Sequence, residues 1–166
     1  MTLATTSYPL HKPLPGGGSR RAGSVRLAIK SRMEVLAGVP LFAGLPKRQL
    51  HAIALACRSR RWPTECCVVP ENTKAQVCYV IVQGTVDVST NGRTIAQLGP
   101  GEFFGEIALL DPGPRTASVT TTTEMVAVEL SRQSFLAVAR DNPTILLAML
   151  EALAKRLRET TEKLTD

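Results

Sequence analysis

The spacing of apolar residues divides the chain into three stretches. From about residue 26 the pattern is helical. "VPLFAGL" interrupts it at Pro40 and Gly44, and a second helix is expected in "PKRQLHAIALACR", where Leu50, Ile53, Ala54 and Cys57 fall at i, i+3, i+4 and i+7. His51 lies off that stripe, on the side expected to face solvent. Residues 59–131 change period. The short apolar runs "CVV" and "CYVIV", the alternating "GTVDVST" with Val86 and Val88 on one face, the hairpin signal Asn91-Gly92 and the β-branched "TASVTTTTEMVAVEL" predict regularly spaced short strands. Such a series builds a β-sandwich or a β-barrel-like roll. Residues 132–166 return to helix. Ser131 is placed to cap a helix through Arg140, and Asn142 to cap a long last helix that Pro143 opens. In that helix Leu146, Leu150, Leu153, Leu157 and Leu164 are spaced 4, 3, 4 and 7 apart, a heptad seam in which Thr160 fills one slot with a hydroxyl.

Composition adds a tail and removes several functions. Residues 1–25, with "KPLPGGGSRRAGS", are rich in Pro, Gly and Ser without a periodic apolar face, and read as a disordered basic tail. The formal charge of +6 sits wholly in residues 1–32, which carry six basic residues and no acid; the remainder holds 14 of each sign. The folded part is therefore not a general polyanion binder, and any DNA contact of that weak, salt-sensitive kind would belong to the tail. Aromatic residues make up only 4%, too few for a stacking platform on single-stranded nucleic acid. Cys57, Cys66, Cys67 and Cys78 form no C-x-x-C pair and read as free, mostly buried thiols. His11 and His51 stand in no ligand spacing with them, so no metal is expected. An enzyme on a similar β-roll, a metal-dependent cupin or a cyclic phosphodiesterase, would need clustered His and carboxylate ligands, so no catalysis is expected. No apolar stretch reaches membrane-spanning length, and charges at Arg26, Lys30 and Arg32 break what would follow a twin-arginine signal; the expected location is the cytoplasm.

The candidate chemistry lies in "FFGEIALLDPGPRTASV". Gly105 permits close approach to the backbone. A short helix starting near Glu106 would present unpaired N–H groups to an anion. Arg115 follows a loop stiffened by Pro112, Gly113 and Pro114, and its guanidinium suits two-pronged recognition of a phosphate. Glu106 would be repelled by that phosphate; accepting from a sugar hydroxyl is the task left to it. An anion, a sugar diol and an apolar wall together specify a nucleotide.

"LGPGEFFGEIALLDPGPRTASV" resembles the phosphate-binding cassette of cyclic nucleotide-binding domains, and the resemblance extends over about residues 34–164. It implies an α+β fold, a jelly-roll-like antiparallel β-roll flanked by N-terminal helices and a long C-terminal helix. The division expected is a tail at 1–25, a helical segment at 26–58, the roll at 59–131 with its cassette at 98–119, and C-terminal helices at 132–166. Carried over, Glu106 would bind the ribose 2′-hydroxyl and Arg115 the cyclic phosphate. Backbone near Gly105, Ile107, Ala108, Thr116 and Ala117 would complete the cradle, with Val88 and Ala96 lining the base pocket.

"LAKRLRETTEKL" is similar to the central helix of catabolite activator-type bacterial regulators. In that group a hydroxyl pair on this helix, one from each subunit, touches the adenine; the matching positions are Thr160 and Thr161. This favours cAMP as the ligand and leaves cGMP open, since a threonine hydroxyl serves either base and Thr116 follows Arg115. The leucine seam suits either a homodimer or packing on the chain's own roll. The chain as given ends at Asp166, so no DNA-reading domain is expected within it, and it reads as a stand-alone sensor or the sensory piece of a longer regulator or channel. The remaining alternative is a degenerate, non-binding roll that serves as an interaction module, with Glu106 and Arg115 kept as a plain ion pair. Two turn positions depart from the family: Glu65 before "CVV" and Asn72 after "PE" stand where it usually has glycine.

Overall fold

The computed structural model describes residues 22–39, 42–74, 76–111 and 113–165, excluding the side chain of Ile107. A short strand β1 (Gly23–Ser24) leads into helices α1 (Ile29–Ala37) and α2 (Lys47–Ala56). Then come β2 (Arg58–Trp62), β3 (Cys67–Val69), β4 (Val77–Gln83), β5 (Val86–Thr90), β6 (Arg93–Leu98), β7 (Phe103–Phe104), α3 (Ile107–Leu110), β8 (Ser118–Thr121) and β9 (Met125–Ser131). Helices α4 (Arg132–Asp141) and α5 (Thr144–Thr165) follow. The strands form one sheet in the order β1-β2-β9-β4-β7 and another in the order β3-β8-β5-β6. The architecture is the α+β roll flanked by helices that the sequence predicts.

The continuous apolar runs of β4 and β9 arise because both of their faces are covered. Cys78 pairs with Leu130 and Val80 with Val128, and these four pack on Leu36, Ile53, Phe135 and Met149 of the helices. The intervening Tyr79, Ile81 and Ala127 point into the roll with Trp62, Val86, Phe104 and Val119. There the Tyr79 ring stacks on Phe104 at 4.9 Å and meets Trp62 edge-on at 5.7 Å. Asn91 and Gly92 turn β5 into β6 with φ of 51° and 75°, the left-handed pair a two-residue hairpin requires. Glu65 and Asn72 also hold left-handed conformations, φ 56° and 64°, so both family glycine positions keep their geometry without glycine.

Four expectations meet a different structure. The tail expected at 1–25 lies outside the described residues as far as 21, but Gly23 and Ser24 pair with Arg61 and Arg60 as an edge strand. The Ser131 hydroxyl does cap α4, accepting from the Ser134 amide at 3.1 Å. The Asn142 side chain, however, serves the end of α4, its amide donating to Val138 O at 3.1 Å, and only its backbone carbonyl accepts from the Ile145 amide at the start of α5. In α5 the residues buried against the body are Ile145 and Met149, while Leu150, Leu157 and Leu164 are exposed, the last at 81%. The leucine stripe thus packs on the chain's own body at its start, through the half-buried Leu146, and turns to solvent further along. Among the cysteines, Cys57 and Cys78 are buried and Cys67 is exposed. Burial pushes the Cys57 thiol up to about 12 and raises Cys78 as well, which leaves both unreactive near neutrality. Among the described residues no helix is long and apolar enough to cross a membrane.

Candidate functional site

The cassette folds back on the smaller sheet and encloses a cavity of about 350 Å³. Its apolar wall comes from paired strands. Val88 lies directly opposite Ala96 in the β5–β6 ladder and opposite Val119 in the β5–β8 ladder, and all three line the cavity. Ile95, Leu98 and Phe103 extend that wall. Gly105, Glu106, Ala108, Arg115, Thr116 and Ala117 form the polar side.

Gly105 has φ of +77°, and a Cβ on it would strike the Arg115 guanidinium and stand 2.7 Å from Val77 O. Glycine is therefore required twice over, by conformation and by space. Arg115 is only 7% exposed. One terminal nitrogen, Nη1, donates to Gly105 O at 3.1 Å and the other, Nη2, to Val77 O. Its own backbone is clamped to the β3–β4 connection, the amide donating to Thr73 O at 2.9 Å and the carbonyl accepting from Asn72 at 2.8 Å. That second bond links the left-handed Asn72 to the arginine. The guanidinium Nε is buried with no hydrogen-bond partner among the described residues. Burial draws this group below its ordinary pKa, opposed by Tyr79, Cys78 and Glu106. A buried cation with a spare donor, beside a cavity, calls for an acceptor.

Glu106 is also only 7% exposed, and its partner comes from far along the chain. Its Oε1 accepts from Nη1 of Arg156 on α5, whose guanidinium lies 5.1 Å from the centre of the Phe103 ring. Arg156 is itself about half exposed and lines the cavity. Sequence reasoning missed it. The available signal was that a buried carboxylate needs a cation, and that Arg156 lies one helical turn before Thr160, on the same side of the helix.

The remaining expected residues divide. The Ala108 amide is engaged in the α3 turn, donating to Gly105 O at 3.2 Å. The Ile107 side chain lies outside the described residues. Thr160 and Thr161 do not line the cavity of this single chain. Both are exposed on α5, their hydroxyls donating to Arg156 O and Leu157 O, each at 2.9 Å.

Comparison with known proteins places this geometry. Residues 59–142 match the family described as the cyclic nucleotide-binding domain. A CRP-like cAMP-activated global transcriptional regulator of Mycobacterium tuberculosis is 33% identical over 138 residues, covering 80% of this chain and 62% of the relative. The N-terminal domain of a transcriptional regulator from Streptomyces coelicolor superposes with a TM-score of 0.69 at 30% identity, over 78% of this chain and 94% of that one. Thermus thermophilus catabolite activator protein superposes with a TM-score of 0.68 at 33% identity, over 76% of this chain and 62% of that one. The chain thus spans about three fifths of the length of the curated relatives it matches. With the roll, the cassette and the family match in agreement, this chain belongs to the cyclic nucleotide-binding domain family.

Proposed function

We propose that the chain is a non-catalytic sensor of a cyclic nucleotide, with cAMP the preferred ligand and cGMP the competitor to test against it. The observation that carries the reading is the buried Arg115 guanidinium of the cavity lining, held by two backbone carbonyls and keeping an unpartnered Nε. A cyclic phosphate supplies charge and acceptor together. Gly105, Ile107, Ala108, Thr116 and Ala117 form its cradle, Glu106 receives the ribose 2′-hydroxyl, and Val88 and Ala96 face the base. The degenerate alternative would keep Glu106 and Arg115 as a plain ion pair. Their separate partners, Arg156 for one and backbone carbonyls for the other, favour binding instead.

In this reading the response runs through α5. The ribose and Arg156 both bid for Glu106, so occupancy of the site and the position of α5 are coupled, and each biases the other by the same free energy. Thr160 and Thr161 lie one turn further along and complete the base contact when α5 pairs with a second copy. The exposed stripe Leu150, Leu157 and Leu164 supports such a homodimer, since a solvent-facing leucine row is otherwise unfavourable. The relatives named above are regulators, and no chemical step is assigned to this domain; a cytoplasmic setting belongs to the same reading. Titration calorimetry of cAMP against cGMP, with light scattering on the same sample, tests ligand and assembly together. Saturable heat from cAMP and a dimer mass support the proposal; no heat from either nucleotide rejects it.

A further inference from the structure

The opposite edge of the larger sheet from β7 carries a second concentration of charge. β2 begins "RSRRW", and strand alternation sends Arg58 and Arg60 to one face, only two residues apart. Arg26 arrives from the segment after β1, and Arg32 from α1. Together the four guanidinium groups border a cavity of about 300 Å³ whose one carboxylate is Glu129. That carboxylate is 3.5 Å from Arg60. Arg26, Arg32 and Arg58 have no carboxylate partner among the described residues. The excess is local, because the chain beyond residue 32 is balanced in charge.

Two polar atoms left without a partner belong to residues that line the same cavity. Ser59 is only 4% exposed, and its hydroxyl has no hydrogen-bond partner among the described residues. Arg32 caps the end of α2, its Nη1 donating to Ala54 O at 3.3 Å and Cys57 O at 3.1 Å, yet its Nε is buried and unpartnered. Like charges crowded together and donors left unsatisfied are both relieved by one compact, oxygen-rich anion. Guanidinium groups favour phosphate in that role, through paired N–H donors.

We propose that this edge cavity is a second anion site, taking a small phosphate-bearing ligand of two or more negative charges. A compact group is required because the cavity measures only about 300 Å³. The bound anion would tie the segment after β1, helix α1 and strand β2 to one another. The site shares no lining residue with the cyclic nucleotide cavity, so it stands or falls separately from that reading.

The test is a titration of the full chain with pyrophosphate and with inorganic phosphate at constant ionic strength, followed by amide chemical shifts. Saturable shifts are expected at residues 24–26, 32 and 57–60, together with a raised melting temperature. The Arg26→Ala/Arg58→Ala variant should weaken them by more than about tenfold. The single variant Arg58→Gln gives the same direction should the double one fold poorly. Arg115→Ala should leave them intact. Equal shifts with adenosine triphosphate would mark the ligand as the phosphate end of a larger molecule; shifts with pyrophosphate alone would mark a free anion. Absence of saturable shifts at this edge overturns the proposal. So does a response that survives the arginine substitutions, one that disappears in Arg115→Ala, or one given by an acidic peptide and not by pyrophosphate.

Discussion

The two charged walls of the cassette cavity are held in opposite ways. Arg115 is fixed entirely by the roll: its side chain bonds to Gly105 O and Val77 O, and its backbone to Asn72 and Thr73. Glu106 sits one residue from that anchorage, yet its partner Arg156 is lent by α5, 50 residues later. The first wall is formed whenever the roll folds. The second depends on where a helix lies, and α5 packs its early turns through Ile145 and Met149 while its later turns are exposed. In the proposed reading, a recognition element that must not move and a reporting element that must are thus placed side by side in one cassette.

Substitutions can break this contrast or sharpen it. The largest effect is expected from Arg115→Ala, which should weaken cyclic nucleotide binding by about 2–5 kcal/mol, the usual loss when one member of a desolvated charge pair is removed. A loss below about threefold by calorimetry would show that the fixed wall does not hold the phosphate. Glu106→Gln should cost about 1.5–3 kcal/mol of affinity, the range for a hydrogen bond to a charged group. It should also loosen α5, visible as faster amide exchange over residues 150–165. Thr160→Ala should cost about 1 kcal/mol, one neutral hydrogen bond, and only in the dimer. An equal loss in a monomeric variant would reject the contribution from a second copy.

Glu65→Gly tests the preformed half without touching the ligand. Relieving a left-handed glutamate should stabilise the fold by about 1 kcal/mol in denaturant unfolding, with affinity unchanged. Destabilisation would mean that the turn is held by the glutamate side chain rather than strained by it. Arg156→Ala should change affinity least, by under about 1 kcal/mol, because the half-exposed ion pair is screened and its loss leaves Glu106 free for the ribose. Its signature is uncoupling: ligand should no longer alter exchange in α5. If ligand alters exchange in α5 equally in this variant, the lent wall is not the route of the response.

Legibility in the sequence follows the range of the interaction. Asn91-Gly92 specifies its own turn, and Ser131 its own cap, so both can be read locally. The apolar runs of β4 and β9 are legible as strands because both faces are buried. Gly105, Glu106 and Arg115 stand out because their order is specific to a cassette. What escapes the sequence depends on distant partners. Nothing near Glu106 singles out Arg156. The row of leucines in α5 hides the fact that Ile145 and Met149 do the packing, since both stripes satisfy helical periodicity. Asn142 lies between two helices, and only the chain's path decides that its side chain serves the first. The arginines of "RSRRW" read as an ordinary solvated strand until Arg26 and Arg32 are brought beside them.

Calorimetric titration of cAMP into the intact chain and into its Arg115→Ala variant tests the central claim most directly. Saturable one-site binding that the substitution weakens by at least tenfold, about 1.4 kcal/mol, is the predicted result. Absence of heat in the intact chain, or equal affinity in both, would contradict it.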